Sequence, residues 1–141
     1  MHGSPAIRPA DYLEKAERHA GRPLACREEL AILLRAAGDP AFAADFERVL
    51  FLAKFWEGAM GIIRRTGPGA DDVRKLTDEL SEATSAVSSL IGTLLDAGAP
   101  SAAGEYRNRF LSMDAGSLGR LQQLLSDLAL LKNYELHGAG R

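Results

Sequence analysis

The chain has 141 residues, 46% of them hydrophobic and 26% charged, with a formal net charge of −2. That length allows one domain with a real core, and that composition excludes wholesale disorder. The near-neutral balance gives no basic bias toward nucleic acid, and no uninterrupted apolar run is long enough to span a membrane. Cys26 is the only cysteine, which excludes an intrachain disulfide and fits a reducing compartment. The opening MHGSPAIRPADY carries no apolar core of signal-peptide length. A cytoplasmic protein is the expectation.

Taken in order, residues 1–8 are expected to be a flexible N-terminus. A short helix follows over about 10–20, with Asp11 and Glu14 at capping-box spacing and a thin apolar side of Tyr12, Leu13, Ala16 and Ala20. Pro23 marks a connector. A second short helix is predicted over about 27–37, with Leu30, Leu33 and Leu34 as its apolar side. Cys26 and Glu29 stand there at capping-box positions, with Cys26 where Ser or Thr is usual.

The longest apolar stretch comes next. Asp39 is a good N-cap, Pro40 suits the first helical position, and Arg64 and Arg65 favour the end that Gly67 and Pro68 close. This predicts a helix over about 40–65. Phe42, Phe46, Val49, Ala53, Trp56, Met60 and Ile63 step alternately by four and three residues, the spacing of a seam facing a partner helix. Phe51, Phe55, Ala59 and Ile62 fall off that seam. Polar residues keep only a narrow stripe, so more than one neighbour must cover this helix.

A helix over about 72–97 repeats the heptad spacing with Val73, Leu76, Leu80, Ala83, Val87, Leu90 and Leu94, and carries Thr84, Ser85, Ser88 and Ser89 at its middle. A short helix over about 102–112 bears Tyr106, Phe110 and Leu111. Asp114 caps a last long helix, about 115–136, with Met113 and Leu118 at hydrophobic-staple spacing. Leu118, Leu121, Leu124, Leu125, Leu128 and Leu131 form its leucine side, extended by Tyr134. Residues 138–141 are expected to fray. The expected fold is all-α: an antiparallel bundle of three long helices with the three shorter ones packed on it, one domain over 9–137.

No residue set makes a catalytic or metal-binding signature. His2, His19 and His137 have no carboxylate at di-iron bundle spacing, and Cys26 has no base or oxyanion device beside it in sequence. Lys54 and Glu57 read as a solvated pair three residues apart. Arg107 and Arg109 beside Tyr106 and Phe110 read as a solvated face over core aromatics. No cofactor is implied.

The functional expectation is a non-catalytic, self-associating helical interaction domain whose partner is protein, including a second copy, with neither nucleic acid nor membrane. Its candidate surface is Phe51, Phe55, Trp56 and Ile62, with Asp45 and Arg48 as polar contacts. The alternative is a bundle that binds a small apolar ligand between the third and fourth helices, where small Ser/Thr side chains oppose aromatics. An enzyme ranks last.

Overall fold

The computed structural model describes residues 9–67, 69, 71–112 and 114–134, with the side chains of Leu111 and Tyr134 excepted. The expectations for residues 1–8 and 135–141, for His2 and His137, and for the Met113 staple lie outside the described residues. Among the described residues there are six α-helices, α1 (Pro9–Ala20), α2 (Arg27–Ala37), α3 (Pro40–Thr66), α4 (Asp71–Gly98), α5 (Ala103–Leu111) and α6 (Ala115–Tyr134), with a 3-10 turn, Pro100–Ala102, before α5. There is no strand among the described residues, and the chain is all-α.

Helix α3 starts as its sequence dictates. Asp39 Oδ1 accepts the Ala41 N–H at 2.9 Å, and Pro40 occupies the first turn, where its missing N–H leaves no bond unmade. It stops at Gly67, whose φ of +90° favours glycine and whose N–H donates to the Ile63 carbonyl. Helix α6 is capped as expected, with Asp114 Oδ1 accepting the Ser117 N–H at 2.8 Å. Helix α1 begins two residues before Asp11, which therefore sits in its first turn instead of capping it.

The two other long helices both run opposite to α3. Helix α4 runs back along α3, so that Ile62 shares a cleft with Leu76, and Trp56 shares one with Thr84. Helix α6 also runs opposite to α3: Leu125 lies near Trp56, and Lys132 pairs with Glu47 at 3.2 Å. Helices α4 and α6 thus each pack on α3, with little contact between themselves. The seam predicted for α3 turns inward along its whole length. Phe46, Val49, Ala53 and Trp56 are buried, and Phe42, Met60 and Ile63 are half-buried against the core. The leucine side of α6 is buried from Leu121 to Leu131, while Leu118 stays 41% exposed.

Helix α2 crosses the far end of α4 so closely that a Cβ on Gly98 would lie 2.5 Å from the Ile32 carbonyl oxygen. Glycine is required at this crossing because the obstacle is backbone, which cannot rotate away. Gly98→Ala is therefore expected to destabilise the fold by about 1–3 kcal/mol, measured by urea unfolding.

Candidate functional site

Three places in the fold concentrate chemistry: a buried ionic knot, an exposed stripe on α3, and an open groove between α4 and α6. The knot joins α2, α5 and α6. Glu29, 1% exposed, accepts on Oε1 from Arg109 at 3.0 Å and from Arg120 at 2.8 Å. Its Oε2 has no partner among the described residues. Arg109 also lies 5.2 Å over the Tyr106 ring, and the Tyr106 hydroxyl donates to Glu28 at 2.8 Å. Next to this, Asp127 of α6 is buried and accepts the Cys26 N–H at 2.7 Å and the Arg22 guanidinium at 3.3 Å.

The capping-box expectation for Cys26 and Glu29 is therefore corrected. The Cys26 side chain makes no cap, and the Cys26 N–H that Glu29 would accept in a capping box is taken from α6 by Asp127. Glu29 reaches away from its own helix start to the two arginines. Both carboxylates sit on buried helix faces: Glu29 is three residues from Cys26 and four from Leu33, and Asp127 is three from Leu124 and four from Leu131. That placement was the available signal. The partners lie far away in sequence and left none.

Burial pushes the Cys26 thiol up to about 12, so it stays protonated and unreactive at neutral pH. Burial also raises the Asp127 carboxyl above its ordinary range, against the Cys26 N–H and Arg22, which lower it. For Glu29, burial raises the value, but the hydrogen bond from Arg120, its own backbone N–H, the Arg120 charge and the Arg109 hydrogen bond hold it below the ordinary range. His19 is exposed in the last turn of α1. Among the described residues no group of three or more His, Cys, Asp and Glu could hold a metal ion.

The predicted interaction residues divide between two sides of α3. Trp56 is only 9% exposed; it lies on the inward seam and is not part of the surface. Its place in the expected patch is corrected for that reason. Phe51 is 66% exposed, Ile62 43%, and Phe55 half-buried between them. At 100° per residue, Arg48, Phe51, Phe55, Gly58 and Ile62 fall on one stripe. Gly58 is exposed, and a Cβ there would meet open space, so nothing in this chain requires a glycine at mid-helix. Beside Ile62 an open cleft of about 420 Å³ runs between α3 and α4, lined by Val73 and Leu76 and edged by Asp72, Lys75 and Glu79. Asp45 is half-buried and Arg48 exposed, and they form no ion pair with one another. Lys54 and Glu57 pair at 3.7 Å on the surface, as expected.

The arginines of α5 are held by carboxylates. Arg107 binds Asp96 of α4 through two nitrogens, and Arg109 binds Glu29 and Glu105. They do not stand free to meet phosphates. The remaining feature is the groove. It opens between α4 and α6 over Trp56 and Met60 of α3, not within the α3–α4 seam. No known family model, curated protein or solved structure matches the chain. No helix among the described residues is long and apolar enough to cross a membrane.

The knot makes its own pH signature. Because the folded state depresses Glu29, its stabilising contribution is complete above the unfolded value of about 4.3 and is lost as the pH falls through the lower folded value. Asp127 runs the other way, since a raised folded value favours the native state as it takes up its proton. Glu29→Gln is expected to cost about 1–3 kcal/mol at pH 7, with both guanidinium groups free to rehydrate. The gap to wild type should close as the pH falls below about 4, read from urea unfolding across the acid range.

Proposed function

We propose that the chain is a non-catalytic helical interaction domain that pairs with a second copy of itself through the outer stripe of α3. The observation that carries this reading is Phe51, a large aromatic left 66% exposed in the middle of the 27-residue apolar helix α3. Full burial of such a side chain is worth about 1.5–3 kcal/mol, and aromatic side chains are common anchors of interfaces.

The stripe is self-complementary. Phe51 projects outward, and Ile62, eleven residues on, borders a cleft of about 420 Å³. A two-fold axis across α3 between these positions sets Phe51 of each copy against the Ile62 cleft of the other. Gly58 lies between them and lets the two helices approach closely at a position this chain leaves open. The buried, unreactive thiol at Cys26 is consistent with a cytoplasmic setting. We assign the domain a protein partner, namely its own second copy, with neither nucleic acid nor membrane.

Two substitutions separate pairing from folding. Phe51→Ser is expected to convert a dimer at micromolar concentration into a monomer, seen by light scattering after size exclusion. It should change monomer stability by no more than about 0.5 kcal/mol, because the ring is mostly exposed. Gly58→Ala is expected to stabilise the monomer by about 0.5–1 kcal/mol through helix propensity, yet to weaken the dimer. A wild-type chain that stays monomeric at these concentrations would remove the reading.

A further inference from the structure

We infer that the groove between α4 and α6 is a binding site for an elongated, uncharged apolar small molecule, separate from the α3 stripe. The geometry begins with the three long helices. Because α4 and α6 each pack on α3 and hardly on each other, a furrow remains between them with α3 as its floor. It contains two adjoining clefts of about 310 and 350 Å³, which share Thr84, Ser85, Leu118 and Leu121. Either volume falls within the range of small-molecule sites, roughly 300–1,000 Å³. Phe110 of α5 lines one cleft, while Trp56 and Met60 lie under the other.

The chemistry of the wall selects the ligand. Among the described residues, not one that lines either cleft is charged, although a quarter of the chain is. The cleft beside Ile62, by contrast, is edged by three ionisable side chains. The Thr77 and Thr84 hydroxyls donate to the Val73 and Leu80 carbonyls of their own helix, at 2.7 and 2.8 Å, so their hydrogens are already committed. Ser81, Ser85 and Gln122 remain as neutral hydrogen-bonding groups for a hydroxyl, ester or amide head. An ionised head would leave water for a wall with no countercharge. Leu118, exposed at the shared boundary of the two clefts, is the apolar surface that a bound chain would cover.

Trp56 is the only tryptophan and lies on the groove floor, so it reports on occupancy. The probe is phenylnaphthylamine, a neutral apolar dye that accepts energy from tryptophan, titrated into the full chain carrying Phe51→Ser. That background separates this site from pairing through α3. Saturable energy transfer with one dye per chain is expected. Tetradecanol should displace the dye at least about tenfold better than tetradecanoate, since only the carboxylate loses its hydration uncompensated. Ser85→Phe and Leu118→Gln both change exposed positions that the fold does not need, and each should weaken binding about tenfold or more. Absence of saturable transfer would overturn the proposal. So would equal displacement by the alcohol and the carboxylate, or transfer unaffected by Ser85→Phe. Transfer that weakens as protein concentration rises would mean that another copy fills the groove, and would overturn it as well.

Discussion

Helix α3 carries more apolar surface than the other helices of this chain can cover. Its inward seam, from Phe42 to Ile63, supplies the floor on which α4 and α6 pack from either side. Those two helices and α2 account for Leu50, Ala53 and Ala59, all buried. What they leave is the outer stripe at Phe51 and Ile62. A helix apolar on most of its circumference needs neighbours around most of it, and three flanking helices have two gaps between them and one free side. The open groove and the bare stripe both follow from that count.

The ends of the bundle are held differently from its middle. Near the α2 start, polar groups are buried and so must be paired. Asp127 of α6 accepts the N–H of Cys26 at the α2 start, and Glu29 gathers Arg109 and Arg120 from two other helices. Breaking such a pair leaves an uncompensated charge, although a well-packed apolar replacement of the whole set need not be less stable. The knot therefore fixes where α2, α5 and α6 meet more than it adds to net stability. It also explains how a short α2 keeps its place across α4 at Gly98.

Local signals in the sequence foretell the helices well. Asp39-Pro40, Gly67 and Asp114 mark ends through bonds between near neighbours, and the heptad steps of α3 and α4 mark their inward faces. Periodicity does not say how many neighbours a helix has. Hence Phe51 and Ile62 were readable as surplus, whereas Trp56, whose spacing already set it on the inward seam, did not belong with them. Leu118 misled for the same reason, because its spacing matches the buried leucines but no described neighbour covers it at that end of α6. The small Ser/Thr side chains of α4 correctly suggested a gap. That the gap lies against α6 depends on packing order, which spacing does not encode.

The pairing of α3 with its own copy can be tested directly by nuclear Overhauser effects in a sample mixed from isotope-labelled and unlabelled chains. Phe51 and Ile62 lie about 16 Å apart along one helix, too far for such an effect within a chain. The account predicts cross-peaks between Phe51 ring protons of one copy and Ile62 methyl protons of the other. Absence of these peaks, with Phe51 and Ile62 shifts that do not change on dilution, would contradict it.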